Sequence, residues 1–131
     1  MIIDTNIYAA IRRGNATVGD ILSREAALHM PIPVIAELKI GFILGSMFER
    51  NTRDLENFLS RDSCIILDCD IQTTQFYAEI SSYAQKHGKA LSHNDLWIAA
   101  LAVQHNIPLL TLDKDFLGLK ELLGKLLVVT V

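Results

Sequence analysis

Short runs of apolar residues alternate along the chain with longer segments in which apolar residues recur every three or four positions. The short runs are typical of buried parallel strands, and the longer segments are typical of amphipathic helices. We predict strands at residues 1–4, 28–32, 64–67, 109–112 and 126–131. Strands that alternate with helices predict an α/β fold, here a single three-layer α/β/α domain with a central, mostly parallel sheet.

Residues that start and end helices divide the segments between the strands. We predict helices at residues 18–25, 34–44, 53–60, 71–87 and 93–105. Asp70 and Ser92 suit helix N-caps, whereas Gly45 and Gly88 suit helix ends. No linker, repeat or low-complexity stretch interrupts this pattern, so we expect residues 1–131 to form one domain.

Composition narrows the classes of function. The chain has 131 residues, of which 50% are hydrophobic, and its formal net charge is −3. A protein that binds nucleic acid by broad neutralisation of phosphates normally carries a basic face. Any polyanion must therefore be bound locally, and the high apolar share predicts a surface that a partner covers.

The two cysteines, Cys64 and Cys69, lie five positions apart. We predict that both are free core thiols, because their spacing matches neither a zinc site nor a disulfide framework. No leader-like segment precedes the first strand, and charged residues interrupt every long apolar run. We therefore expect a cytoplasmic protein that is neither exported nor embedded in a membrane.

Two acids follow predicted strands. Asp4 ends the first strand in the run Ile-Ile-Asp-Thr-Asn, and Asp113 follows the fourth in Thr-Leu-Asp-Lys-Asp. The carboxyl ends of parallel strands meet at one sheet edge, where open α/β sheets bind ligands. A helix cap at Asp4 and a turn at Asp113 are the alternatives. Asp115 competes with Asp113 for a functional role, and we rank it as peripheral.

Two further acids fall within predicted helices. Glu37 has apolar neighbours on both sides, so we expect a buried carboxylate that needs a partner. The alternative is a first-turn glutamate that interacts with the helix dipole. Asp95 lies three residues after Ser92, where it could complete a capping box. Its helix is apolar almost all round, so a role as a metal ligand is equally supported.

Four carboxylates brought to one sheet edge repel one another. At about 4 Å each pair costs roughly 4 kcal/mol at an effective dielectric constant near 20, whereas a whole domain is stable by only about 5 to 15 kcal/mol. A cation or shared protons must relieve this repulsion. Oxygen ligands without His or Cys favour Mg²⁺ or Mn²⁺ over zinc.

The same residues carry a family resemblance. The chain resembles the PIN-domain family, and within it the VapC-like ribonuclease toxins of toxin–antitoxin pairs. The matching segments, in order, are Ile3-Asp4-Thr5-Asn6, Ala36-Glu37-Leu38 with Gly41, Asn94-Asp95-Leu96-Trp97-Ile98-Ala99-Ala100, and Leu110-Thr111-Leu112-Asp113 with Phe116. Each motif is weak by itself, but four in this order over the whole chain are specific.

The resemblance implies a Mg²⁺- or Mn²⁺-dependent endoribonuclease that leaves 5′-phosphate and 3′-hydroxyl ends. The residues that carry over as catalytic and metal-binding are Asp4, Glu37, Asp95 and Asp113, and those that line the pocket are Thr5, Asn6 and Thr111, with Asp115 beside them. Glu37 either ligates the metal or positions the attacking water. The resemblance also implies a homodimer and a VapB-like antitoxin with a segment that blocks the pocket. Only three residues precede Asp4, fewer than in most relatives, so a start upstream of Met1 stays open.

Two other functions stay open. The chain could be an inert PIN scaffold that only binds a partner, although it retains all four acids. It could also be a receiver-like or phosphohydrolase domain with Asp4 as nucleophile, but it lacks a second acid at the first strand and a fitting lysine after the last. Of the four histidines, His29, His87, His93 and His105, only His93 falls near the predicted pocket. We expect Trp97 and Tyr83 to belong to the core.

Overall fold

The computed structural model of the protein describes residues 1–123 and 127–128. Its strands are β1 (Ile2–Ile3), β2 (Leu28–Pro31), β3 (Cys64–Leu67), β4 (Leu109–Thr111) and β5 (Leu127–Val128). They form one sheet in the order β3-β2-β1-β4-β5, and each neighbouring pair is parallel. The predicted parallel sheet is confirmed. Of the predicted last strand, residues 126 and 129–131 lie outside the described residues.

Helices connect the strands. They are α1 (Thr5–Arg12), α2 (Ala16–Leu22), α3 (Ile32–Leu44), α4 (Phe48–Leu59), α5 (Ile71–Lys86), α6 (His93–His105) and α7 (Lys120–Leu123), with a 3₁₀ helix at Lys114–Leu119 before α7. The helix predicted at 53–60 begins earlier, at Phe48. Its first turns were missed because the polar run after Phe48 lacks the apolar periodicity that indicates a helix. The predicted caps Asp70 and Ser92 are confirmed, since each side chain accepts a hydrogen bond from a backbone N–H in the first turn.

The order of the strands places β1 at the centre. The chain runs outward from β1 to β2 and β3, then crosses to the other side of β1 for β4 and β5. The gap between β1 and β4 is therefore the point at which the winding reverses, and ligands of open parallel sheets bind at such a point. Ile3 pairs with Leu110 in the register of β1 and β4, so the next residues, Asp4 and Thr111, lie side by side at the carboxyl edge.

Burial of β1 establishes the layers. Ile2 and Ile3 are both 0% exposed, although successive strand residues point to opposite faces of a sheet. Both faces are therefore covered, as an α/β/α arrangement requires. Fully burying one such side chain contributes roughly 1.5 to 3 kcal/mol relative to leaving it exposed, which is why a strand of only two residues holds its place at the centre.

Helix α3 departs from its prediction. Its apolar residues on both sides of Glu37 predicted burial, but only Val34, Ile35 and Leu38 are buried, whereas Ile43 and Leu44 are 68% and 81% exposed. Glu37 is half-buried. The prediction was wrong because an apolar helix can face either the core or a partner, and sequence alone does not separate the two.

Two further predictions concern the cysteines and the apolar segments of the chain. Both cysteines are free, but Cys64 is half-buried and Cys69 is exposed, so the prediction of two core thiols was wrong for Cys69. Cys69 lies beyond the end of β3, where the chain has left the sheet. Within residues 1–123 and 127–128, no helix is long and apolar enough to cross a membrane.

Candidate active site at the carboxyl edge of the sheet

Asp4 is the most deeply buried of the four predicted acids. It is 4% exposed and lies where β1 passes into α1. Its Oδ1 accepts a hydrogen bond from the Ile7 amide at 3.0 Å, which makes Asp4 the N-cap of α1. Its Oδ2 accepts a hydrogen bond from the hydroxyl of Thr111. The capping role that competed with a functional one is therefore real, and it occupies one of the two oxygens.

Burial raises the pKa of Asp4 from 3.8 to about 6. The hydrogen bonds from Thr111 and Ile7 oppose this shift, while the charges of Asp113 and Asp95 add to it. A buried carboxylate whose charged neighbours are other carboxylates lacks a compensating positive charge. Asp4 therefore occupies an environment that a cation would stabilise.

Thr111 connects Asp4 to Asp113. The Thr111 side chain is fully buried, and its Oγ1 accepts a hydrogen bond from the Asp113 amide at 2.9 Å while its hydroxyl donates to Asp4. Asp113 in turn caps the 3₁₀ helix, because its Oδ1 accepts from the Asp115 amide at 2.9 Å. Thr111 thus joins the carboxylate of Asp4 to the backbone of Asp113.

Glu37 enters the site from α3. The Thr5 hydroxyl donates to its Oε2 at 2.5 Å, and the Asn94 side-chain amide donates to its Oε1 at 2.8 Å. Both carboxylate oxygens are therefore held, one from α1 and one from α6. The expectation that Glu37 needs a polar partner is confirmed, but Asp4 rather than Glu37 is the most buried acid.

Asp95 lies in the first turn of α6. Its amide donates to Oγ of Ser92 at 3.1 Å, so the predicted cap is present. Burial raises the pKa of Asp95, groups of Ser92 lower it, and the charges of Asp113 and Glu37 raise it further. Asp95 is therefore repelled by Asp113 and by Glu37, and Asp4 is repelled by Asp113 and Asp95. All four predicted acids thus share one electrostatic environment.

The acids nevertheless do not converge to the spacing of a metal site. Among residues 1–123 and 127–128, no three His, Cys, Asp or Glu side chains lie close enough together to hold one ion. The donor set is carboxylate and fits a hard divalent ion, and the mutual repulsion favours one. Ion binding at these residues therefore requires side chains to turn towards a common point.

The remaining comparison with the sequence predictions concerns Asn6, Asp115 and Asn94. Asn6, which was expected to line the pocket, and Asp115, which was expected beside it, are both exposed. Asn94 was not among the predicted site residues, although its amide holds Glu37 from 57 positions away. The sequence signal that could have identified Asn94 was its position directly before Asp95 in the first turn of α6.

The fold and its acids define a class of protein, namely α/β domains with one parallel sheet and carboxylates at the edge where the winding of the sheet reverses. The model of the PIN-domain family matches residues 1–122. The chain belongs to the PIN-domain family. It is 32% identical over 126 residues to Ribonuclease VapC of Rickettsia bellii, covering 93% of this chain and 92% of that one. It is 44% identical over 94 residues to Toxin FitB of Neisseria gonorrhoeae, covering 66% and 65%.

Solved structures agree. VapBC2 from Rickettsia felis, bound to a DNA fragment from its promoter, superposes with a TM-score of 0.81 at 26% identity, over 98% of this chain and 96% of that chain. FitAB from a complex with the IR36 DNA fragment gives 0.74 at 28% identity, over 98% and 92%. The similarity therefore extends over nearly the whole chain.

Proposed function

We propose that this protein is a divalent-metal-dependent endoribonuclease, a single PIN domain over residues 1–131, and the toxin of a toxin–antitoxin pair. The observation that carries the proposal is Asp4, a buried carboxylate at the switch point that Thr111 ties to Asp113. A buried acid coupled to another acid is costly unless a cation joins it. The curated relatives named as ribonucleases support RNA as the substrate class.

The site residues divide the work. Asp4, Asp95 and Asp113 would hold Mg²⁺ or Mn²⁺, and Glu37 would either join them or orient the attacking water. The bound ion would lower the pKa of a water ligand and neutralise charge on the phosphate. Thr111 keeps Asp4 and Asp113 in register, and Thr5 and Asn94 prevent the Glu37 carboxylate from rotating.

The overall charge limits how RNA is bound. A net charge of −3 does not attract a polyanion over a broad face. Four exposed arginines lie at the end of α1 and in α4, namely Arg12, Arg13, Arg50 and Arg53, and Arg12 is already paired with Asp54 at 2.7 Å. The ion and contacts close to it therefore dominate binding, and the cytoplasm remains the expected compartment.

The antitoxin has a candidate surface of its own. A cavity of about 240 Å³ lies between α1, α3 and α4, next to the acids rather than on them. The hydroxyl of Tyr8, in its wall, is buried and has no hydrogen-bond partner among the residues that the structure describes. Exposed apolar side chains also occur on α3 and at the start of α4, namely Ile40, Ile43, Leu44, Met47 and Phe48.

A surface of this kind suits a peptide segment with an apolar face. We therefore assign it to the cognate antitoxin, in keeping with the relatives that were crystallised as VapBC and FitAB complexes. Its position one helical turn from Asp4 and Glu37 would let a bound segment reach and block the acids. A homodimer stays a prediction, which light scattering of the purified toxin tests.

The experiment incubates purified protein with single-stranded and transfer RNAs in Mg²⁺, in Mn²⁺ and in chelator. We expect cleavage only with an ion, and a loss of at least about 100-fold in Asp4→Asn and Asp113→Asn. Asp115→Asn is the matched control, because it removes an exposed acid two residues from Asp113 and should retain activity. Cleavage that persists in chelator, or full activity in Asp4→Asn, contradicts the metal mechanism.

The same protein separates the rival functions. Tight association with the antitoxin, without cleavage of any RNA and without growth arrest on expression, would favour the inert scaffold. Stable phosphorylation of Asp4 by a small phosphodonor would favour the receiver-like alternative.

A further inference from the structure

Three aromatic side chains meet beside the acids. Tyr77 of α5 lies between His93 and Trp97 of α6, with ring centroids 6.4 Å and 4.3 Å away. His93 is exposed, and Tyr77 and Trp97 are half-buried. The prediction that Trp97 belongs to the core is therefore only partly right, because its ring packs on Tyr77 at the surface. We call these three residues the aromatic platform.

The rings of Tyr77 and His93 lie side by side. Their planes differ by only 10°, and the Tyr77 hydroxyl is 2.5 Å from Nδ1 of His93. Because the hydroxyl oxygen and Nδ1 lie in the planes of their own rings, the separation of the two planes there cannot exceed the distance between these two atoms. Stacked rings would be further apart than this, so the rings do not lie one above the other. The hydrogen bond lies near their common plane and joins a phenol and an imidazole into one flat surface.

Trp97 supports this flat surface. Its ring is inclined by 36° to that of Tyr77 at a distance at which aromatic rings pack favourably. The hydrogen bond to His93 and the contact with Trp97 together limit rotation of Tyr77. A surface held in this way loses little side-chain freedom when a planar ligand binds to it.

The platform and the acids share the start of α6. His93, Asn94 and Asp95 are consecutive in its first turn, and they point in different directions around the helix. The Asn94 amide donates to Glu37, and Nδ1 of His93 lies against the Tyr77 hydroxyl. The charges of Asp113 and Glu37 contribute to raising the pKa of Asp95. Although these side chains leave α6 on different sides, the Cα atoms of His93 and Asp95 are only about 5.4 Å apart in an α-helix, so a nucleotide whose phosphate lies at the acids can reach the platform.

We propose that Tyr77, His93 and Trp97 stack against a nucleobase of single-stranded RNA beside the scissile phosphate. This rests on the proposed ribonuclease function. An acidic protein cannot rely on phosphate neutralisation, and aromatic stacking supplies affinity without net charge. The platform positions the substrate, and it tolerates different bases because each has an aromatic face.

The test measures steady-state cleavage of a single-stranded RNA in Mg²⁺ for the wild type, His93→Ala and Tyr77→Leu. We expect KM to rise roughly 5- to 100-fold, the range that corresponds to the loss of one stacked base, and kcat to fall less than KM rises. His93 is exposed, so His93→Ala should fold even if Tyr77→Leu does not. Tyr77→Phe keeps the ring but loses the hydrogen bond, and its KM should lie between those of the wild type and Tyr77→Leu.

A spectroscopic signal separates stacking from a structural role. Trp97 is the only tryptophan of the chain, so its emission, recorded by rapid mixing before cleavage, reports on the platform directly. We expect RNA to quench it in the wild type, and the quenching to need more RNA in His93→Ala. His87→Ala is the matched control, because His87 packs on Tyr83 at 4.0 Å in another tyrosine–histidine pair, about 15 Å along α5 from Tyr77.

The outcomes distinguish the two proposals. If the wild type cleaves no RNA with any ion, the ribonuclease function fails. If the wild type cleaves RNA while His93→Ala and Tyr77→Leu keep its KM and its quenching, the platform is wrong and the ribonuclease stands. An equal change in His87→Ala would also overturn the platform, because the effect would then not depend on proximity to the acids.

Discussion

The hydroxyl of Thr111 donates a hydrogen bond to Oδ2 of Asp4, a contact between residues 107 positions apart. It forms because β1 and β4 are parallel neighbours, with Ile3 opposite Leu110. The same Oγ1 accepts from the Asp113 amide. One buried hydroxyl therefore connects the carboxylate of Asp4 with the backbone of Asp113 at the centre of the proposed active site.

Thr111→Val tests that hydroxyl. The change keeps the shape of the side chain but leaves Oδ2 of Asp4 and the Asp113 amide without this partner. We expect a loss of about 1 to 3 kcal/mol in the free energy of unfolding, measured in urea, and affinity for Mn²⁺ about 10- to 100-fold weaker. Thr74→Val is the control, because the Thr74 hydroxyl bonds to Ile71 O at the surface, and it should change stability by less than about 0.5 kcal/mol. Equal effects of both substitutions would contradict the bridging role.

The pKa of Asp4 predicts an unusual dependence of stability on pH. Because the folded value of about 6 exceeds the ordinary value of 3.8, the native state binds more protons between these limits. This group's contribution to stability is therefore fully present below about pH 4 and declines as pH rises through 6. Without metal, Asp4→Asn should be more stable than the wild type at pH 7 by roughly 1 to 3 kcal/mol.

The control for Asp4→Asn is the same pair of proteins at pH 4. There the wild-type carboxyl is mostly protonated in the native state, so the difference in unfolding free energy should nearly vanish. Added Mn²⁺ at pH 7 should stabilise the wild type more than Asp4→Asn. A wild type that is more stable than Asp4→Asn at pH 7 without metal would contradict the uncompensated burial of Asp4.

Asn94→Ala tests how Glu37 is held. Loss of the amide frees Oε1 while Thr5 still holds Oε2. We expect kcat for RNA cleavage to fall about 10- to 100-fold, the range for residues that orient a site group, with little change in the unfolding midpoint. Asn6→Ala removes an exposed asparagine from the first turn of α1 and should leave kcat unchanged. An Asn94→Ala enzyme with wild-type kcat would remove Asn94 from the site.

Tyr8→Phe separates stability from antitoxin binding. The Tyr8 hydroxyl is buried without a partner among the described residues, and such a group costs about 1 to 3 kcal/mol. The variant should therefore unfold at the same or a higher urea concentration than the wild type, and its affinity for the antitoxin, measured by calorimetry, should be unchanged because the hydroxyl is not accessible. Tyr83→Phe, on the far part of α5, should change neither quantity strongly. A Tyr8→Phe variant that is clearly less stable than the wild type would contradict the unsatisfied burial of this hydroxyl.

The strongest sequence signals were those that local chemistry determines. Apolar runs located the first four strands to within one residue at each end, and Asp70, Ser92 and Gly45 marked helix ends because caps depend on the residue itself. The start of α4 was missed, since its first turns carry almost no apolar residue. The family resemblance identified the four acids, but which of them is most buried did not follow from their neighbours.

By itself the sequence determined the α/β pattern, the order of its elements and the acids that end β1 and β4, because periodicity and caps act over a few residues. Only the tertiary structure decided that Thr111 joins Asp4 to Asp113, that Asn94 and Thr5 hold Glu37, and that Tyr77 lies flat beside His93. The physical reason is that each of these contacts joins different elements, and their distances depend on strand order and helix packing. Exposure of the apolar end of α3 was decided in the same way, since nothing local separates a side chain that faces the core from one that faces a partner.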